Sequence, residues 1–431
     1  MSERPRRRSR KRSQADPFFD AKRPWSWTKD AILGSYLRPY LEKVKLLGAK
    51  ILIIDPYAGP GRFKSGEPGS PLIITGIAEK VVPGQYKAIF GNLDATHHEA
   101  LTALMQPRID RGVVETYDLS ADDLLKNLAS TLGRQTVFLY LDPYGLPPAF
   151  HTILPFLVRE QAYGRPASTE ILVNIPPSII PRCVALDAAD EAMTSQILAL
   201  RRHLTKSMGS DFWSEAYDRN DLEPDEKAVL VIEAYRNSFK KRLPFSGSCP
   251  IREHEGSAVK YYMTFFSGHP HAPRIYNDAM RAAYRRGLYE ATIKDLPLLG
   301  GIGAADGDDV KEIEEVKSIV IDKLQAGGSE SRERLWDAII QDQDHFMRFS
   351  HSIFIRAVKA LFEEGRIGFE DMRRTGRLND VAKLYVKKGG PSERAAEPRT
   401  EEAKPEAKVI PPHLTVKIRV LPPVTAAPPD A

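Results

Sequence analysis

Apolar side chains recur at Ile32, Leu33, Tyr36, Leu37, Tyr40, Leu41 and Val44, close to the 3.6-residue period, and Gly48 follows as a stop. The spacing predicts one long amphipathic helix over 27–47, with Pro39 as the point where it would break. Residues 50–55, KILIID, are a short apolar, β-branched run that ends on an acid and meets a glycine-rich turn, as a buried parallel strand does. Helical patterns at 72–81, 98–105 and 122–132 then alternate with strand patterns at 86–94, 112–118 and 136–142, and another strand follows at 170–175. Alternation of this kind predicts a parallel sheet covered by helices on both faces.

Residues 178–245 read as mainly helical, with a helix at 227–242. Two strands within 245–266, joined by a bend around Gly256, predict a hairpin, and a helix at 271–286 closes the unit. The Gly- and Asp-rich segment 296–309 reads as a linker. Helices at 310–324, 332–340 and 352–364 follow, then Gly365-Arg366-Ile367-Gly368-Phe369 and a return strand at 382–387. Three helices and a hairpin are the winged-helix order. From 389 onward Pro, Ala, Glu and Lys predominate, which predicts a disordered tail. The expected organisation is an arm (1–24), an α/β domain (25–290), a linker (291–309), a winged-helix domain (310–388) and a tail (389–431).

Composition agrees with two folded units: of 431 residues 42% are hydrophobic and 28% charged. No apolar run reaches the ~18 residues of a membrane span, and no apolar segment follows the amino-terminal arginines as in a secretory signal. The expectation is a cytoplasmic protein with no membrane partner. Two cysteines, Cys183 and Cys249, form no CxxC pair and read as buried thiols. The formal net charge is +5, yet residues 1–14 alone carry +6, so the folded body is near neutral. Such an arm can hold DNA or RNA phosphates without sequence preference. A solubilising tail is an equal reading of it, and a nuclear address is a further alternative.

Three constellations can carry chemistry. Asp55, Ala58, Gly59 and Gly61 directly follow a strand, where glycines let a ligand approach the backbone and the acid can take a polar group, here the methionine end of S-adenosyl-L-methionine (SAM). Asp94 and Asp118 stand near the ends of the next two strands, where carboxylates can accept from ribose hydroxyls or an adenine amine. Asp142-Pro143-Tyr144-Gly145 ends the fourth strand. Amino-group methyltransferases use an [Asp/Asn/Ser]-Pro-Pro-aromatic tetrad there, to accept from the target NH2 and to stack on the base. The second proline is absent, and a structural turn competes with that reading. Asn174-Ile175-Pro176-Pro177 resembles the tetrad with an insertion, but it follows the next strand and reads as a strand-end turn. Nothing in the sequence matches a G-x-S-x-G elbow, a P-loop or H-E-x-x-H. His97, His98, His254, His269 and His271 lack metal-ligand spacing.

Taken together these features resemble the class I SAM-methyltransferase fold, a Rossmann-like α/β sheet that ends in a hairpin. More specifically, the chain resembles the bacterial three-Cys-motif partner protein family. The likeness runs over 25–290 and rests on Trp27-Thr28-Lys29, Asp55-Pro56-Tyr57-Ala58-Gly59-Pro60-Gly61-Arg62, Gly66-Glu67-Pro68-Gly69-Ser70-Pro71, Leu141-Asp142-Pro143-Tyr144-Gly145 and Tyr261-Tyr262-Met263-Thr264-Phe265. The C-terminal part resembles the winged-helix domain often fused to it. The resemblance implies a SAM-type fold and a neighbouring gene for a three-cysteine protein of radical-SAM character. It implies no substrate. Two functions follow as expectations: methyl transfer to an amino group of a nucleic-acid base, or a non-catalytic adaptor that binds nucleic acid or the three-cysteine partner.

Overall fold

A computed structural model describes residues 19–159, 168–178, 191–219, 221–253, 257–295, 305–342, 345–370 and 383–387. The arginine-rich residues 1–14, Cys183, His254, the bend at Gly256, residues 296–304 of the expected linker and the tail beyond 389 lie outside the described residues.

The helix predicted over 27–47 is α1 (Pro24–Val44), closed by a 3-10 turn and by Gly48 at φ 66°. It continues through Pro39, since Tyr36, Leu37, Tyr40 and Leu41 bury the turns on both sides of the proline. The alternating region forms β1 (Ile51–Asp55), α2 (Ser70–Val81), β2 (Tyr86–Asn92), α3 (Ala95–Ile109), β3 (Val114–Asp118), α4 (Ala121–Ala129), β4 (Thr136–Leu141), α5 (Phe150–Leu157) and β5 (Thr169–Ile175). Helix α5 carries no sequence signal of its own. Eight residues that include Pro155 are too few to establish a period. Next come α6 (Glu191–Met208), α7 (Phe212–Asp218), α8 (Pro224–Phe239), β6 (Phe245–Ile251), β7 (Tyr261–Ser267) and α9 (Ala272–Asp295).

These strands make one seven-stranded mixed sheet in the order β3-β2-β1-β4-β5-β7-β6. Neighbours from β3 to β5 pair in parallel; β7 pairs antiparallel with β5 and with β6, so the terminal hairpin is present. Central strands β1, β4 and β5 are buried along their whole length, as strands covered on both faces must be. One face buries α1, α2, α3 and α9 through residues such as Leu33, Tyr36, Ile74, Leu101 and Tyr276. The other buries α4, α5, α6 and α8 through Leu124, Ile153, Leu204 and Val231. The order changes direction between β1 and β4, which brings the loops after these two strands side by side.

Beyond α9 lie α10 (Ala305–Gly327), β8 (Glu330–Ser331), α11 (Arg332–Ile340), α12 (His351–Glu363), β9 (Ile367–Glu370) and β10 (Lys383–Val386). The three strands form an antiparallel sheet in the order β8-β10-β9, and the helices close over Val320, Leu335, Trp336, Phe354 and Leu384. The two-residue β8 is below what periodicity can register. Helix α9 clamps this module to the main sheet. Arg274 donates two bonds to Asp337, at 2.5 and 2.6 Å; Asn277 Nδ2 donates to the Phe349 carbonyl at 2.8 Å; Met347 N–H donates to Asn277 Oδ1 at 2.6 Å. Phe346 completes the joint against Phe265 and Tyr276, where a Cβ on Gly247 would collide with its ring.

Candidate functional site at the carboxyl ends of β1 and β4

The turn after β1 is braced by its own first residue. Asp55 is fully buried; its Oδ1 accepts the Tyr57 N–H at 3.0 Å, and its Oδ2 accepts the Ser70 hydroxyl at 2.6 Å. One carboxylate thus ties both ends of the loop 56–69, an Asx turn at one end and the first residue of α2 at the other. Burial pushes its pKa up to about 7, against the lowering effect of those two bonds. Ala58 N–H donates to the Gly91 carbonyl at 3.0 Å, Asn92 Nδ2 to the Gly59 carbonyl at 2.8 Å, and Gly69 N–H to the Gly61 carbonyl at 2.9 Å. Gly59 and Gly61 take φ values of 59° and 79°, the left-handed region that only glycine enters freely. The sequence reading gave Asp55 to a ligand, whereas the structure commits both of its oxygens to shaping the turn.

Around Asp142 the arrangement is non-local. Lys29 of α1, with its side chain 5% exposed, places Nζ 2.8 Å from each oxygen of Asp142. Asn174, fully buried near the end of β5, donates from Nδ2 to Asp142 Oδ1 at 2.8 Å, and Tyr140 OH lies 3.5 Å from Oδ2. Lys29 Nζ also lies 4.7 Å from the centre of the Tyr261 ring. Beside it Asp30, paired with Lys22, has its pKa raised to about 6, with burial as the largest cause. The Oδ1 of Asn174 is buried and has no hydrogen-bond partner among the described residues.

Two of these residues went unrecognised in the sequence, although each leaves a trace there. Lys29 lies three and four residues before Ile32 and Leu33, on the stripe that α1 buries, where a lysine needs a partner. Asn174 interrupts the apolar run Ile171-Leu172-Val173. The motif Asn174-Ile175-Pro176-Pro177 does end the strand, with a turn at 177–178, but Asn174 itself still pairs with Met263 inside β5 and bonds Asp142. Pro143 is buried, Gly145 half-buried and Tyr144 62% exposed.

Of the other predicted acids, Asp118 is the last residue of β3 and half-buried. Strand β2 stops at Asn92, so Asp94 lies beyond it as the N-cap of α3, where it accepts the His97 N–H at 3.0 Å. Among the described residues no three His, Cys, Asp or Glu side chains gather as a metal site would require. A cleft of roughly 500 Å³ lined by Glu79, Tyr86, Arg108 and Arg111 opens at the other, amino ends of the strands. Both arginines there already pair with Glu79, and none of the predicted site residues lines it.

No family model and no curated protein matches the chain. Solved structures similar to parts of it include a Legionella pneumophila protein, at 12% identity and TM-score 0.33 over 63% of this chain and 93% of that one. Another is the O-methyltransferase from Bacillus cereus in complex with SAH, at 9% identity and TM-score 0.28 over 55% and 80%. A plantazolicin methyltransferase, also in complex with SAH, gives 8% identity and TM-score 0.25 over 57% and 85%. At such scores the architecture is read from the strand order and the site, not from the likeness. No helix among the described residues is long and apolar enough to cross a membrane.

Proposed function

We propose that the chain is a SAM-dependent methyltransferase of class I fold whose acceptor is an amino group of a nucleic-acid base. One observation carries the reading. The glycine turn and Asp142 stand side by side after β1 and β4, where the strand order changes direction, and open α/β sheets take their ligands at that point. The residues fit such a cofactor in one respect that can be checked: Gly59 leaves bare backbone at the crevice, where a Cβ would lie 2.7 Å from the Phe19 ring, while Gly61 turns its bare side to Leu101 and Leu104 and shapes the loop. The backbone of 57–61 would hold it, with Asp94 and Asp118 near the ribose and adenine. When bound, the cofactor supplies an electrophilic methyl group. The chain's own contribution is positioning. Lys29 and Asn174 fix the Asp142 carboxylate, and the exposed Tyr144 ring beside it offers a stacking surface for a base.

In this reading the C-terminal module is a winged helix that, with the basic residues 1–14, holds the nucleic-acid backbone in a cytoplasmic, bacterial setting, and the expected linker 291–309 shrinks, since α9 runs to Asp295 and α10 starts at Ala305. The exposed side chains of α12 include Arg356, Lys359 and Glu363, with Arg356 paired to Asp309 and Lys359 to Glu363. That helix therefore presents little net positive charge, and the amino-terminal arm supplies the cations.

A second reading, a non-catalytic adaptor for nucleic acid or for a three-cysteine partner protein, is favoured by one feature. Both Asp142 oxygens are already occupied by Lys29 and Asn174, which leaves little capacity for a substrate amine. Calorimetric titration with SAM and SAH, followed by transfer of labelled methyl to DNA and RNA, separates the two. Binding with transfer that Asp142→Ala abolishes supports the enzyme. Absence of SAM and SAH binding sinks it.

A further inference from the structure

The segment ahead of α1 is tied across the loop 56–69. Lys64 N–H donates to the Phe19 carbonyl at 2.9 Å and Ser65 N–H to that of Asp20 at 3.2 Å, and Lys64 pairs with Asp20 at 2.6 Å. Lys22 Nζ donates to the Pro68 carbonyl at 3.0 Å, pairs with Asp30, and lies 4.3 Å from the centre of the Trp27 ring. Residues 19–22 are therefore a strap, and the Phe19 ring stands at its amino end.

That ring meets the loops after β1 and β4 and the first turn of α3, which follows β2. Its centroid is 4.7 Å from His97 after β2 and 6.2 Å from Tyr144 after β4, and a Cβ on Gly59 after β1 would lie 2.7 Å from its edge. Phe63, at 5.7 Å, backs it from the far side of the loop. These loops frame the crevice between β1 and β4, the place an α/β sheet offers to a ligand.

We propose that Phe19 is an internal plug of this crevice, which must withdraw before an adenosyl ligand can settle on the glycine turn. The inference rests on the SAM reading of the site. Its physical basis is exclusion: the ring edge lies against the bare backbone of Gly59, the same surface that the missing Cβ would leave to a ligand. The ties at residues 19 and 20 are exposed, with the Lys64–Asp20 pair 64% and 54% open to solvent, whereas Lys22 is buried against Asp30, so the plug can swing out about Lys22 by giving up only bonds of small net strength.

The test compares the full chain with Phe19→Ala. SAH binding is followed by calorimetry, and hydrogen exchange is followed at the Lys64 and Ser65 amides, which the strap protects. Phe19→Ala should bind SAH at least about tenfold more tightly, the scale of one aromatic ring no longer competing for an apolar site. Saturating SAH should speed exchange at Lys64 and Ser65 in the unsubstituted chain. Equal or weaker SAH binding by Phe19→Ala, or slower exchange at those amides with SAH, overturns the plug and makes the ring a wall of the site. If neither chain binds SAH, the SAM reading fails and the plug falls with it, whereas SAH binding of equal strength by both chains overturns the plug and leaves that reading standing.

Discussion

The glycine turn after β1 and the Asp142 cluster after β4 lie side by side, yet they are held in different ways. Most of the turn closes on itself: Asp55 reaches Tyr57 and Ser70, and Gly61 bonds Gly69, all within fifteen residues. The cluster collects Lys29, Asp142 and Asn174 from a helix, the loop after β4 and strand β5, with Asp142 lying 113 residues from Lys29 and 32 from Asn174 in sequence. A local device tolerates change elsewhere in the domain. A device assembled across elements exists only when helix α1 and the sheet have docked.

The widest effect should come from pH, because both regions hide an acid. Asp55 and Asp30 have their pKa values raised to about 7 and about 6 from 3.8, and Glu170, between Tyr36 and Ser267 at the other end of the sheet, rises to about 7 from 4.5. The folded state therefore binds more protons than the unfolded one between these limits. The stability these groups contribute is fully present below about pH 4 and is lost as pH rises through about 6 to 7, on the order of several kcal/mol in sum. Urea unfolding from pH 5 to pH 8 measures the slope. Asp55→Asn and Asp30→Asn should each flatten part of it, and an unchanged slope would break the claim that burial raises the pKa of an acid in both regions.

A somewhat smaller effect is expected in the turn itself. Gly61→Ala must hold φ 79° and bring a Cβ within 2.8 Å of Leu101 and Leu104, so it should cost about 2–4 kcal/mol in urea unfolding. Lys29→Met tests the cluster. It leaves Asp142, 24% exposed, without its cation, at about 1–3 kcal/mol. The double variant with Asp142→Asn should recover part of that loss, and strictly additive values would show that the pair is not coupled. The smallest change is Asp94→Ala, which removes only the α3 cap and should cost about 1 kcal/mol, read as a modest shift of the urea midpoint.

Much of this molecule was legible along the chain because its signals are local. The β-branched run Ile51–Ile54, the acid that ends it and the glycines after it announce a strand and a tight turn, whatever the rest of the protein does. The same holds for the alternation that built the parallel sheet, for the hairpin of β6 and β7, and for the three C-terminal helices with their return strand. Helix α5 escaped because eight residues hold too little period to read, and Asp94 proved to cap α3 because strand ends and helix starts share the same short polar residues.

Tertiary structure alone decided what the site residues touch. Asp55 stands where the sequence put it, but a carboxylate buried at a strand end bonds whatever the fold brings near, and here that is Tyr57 and Ser70. Lys29 and Asn174 sit within apolar stretches whose periodicity signals only burial. That they meet at Asp142 follows from α1 packing over β4 and β5. Phe19 reaches Gly59 only because the chain ahead of α1 turns back over the loop. Hydrophobic pattern is a property of neighbours in sequence and can be read before folding. Hydrogen-bond partners 113 residues apart are a property of the packed sheet, and no local pattern encodes them.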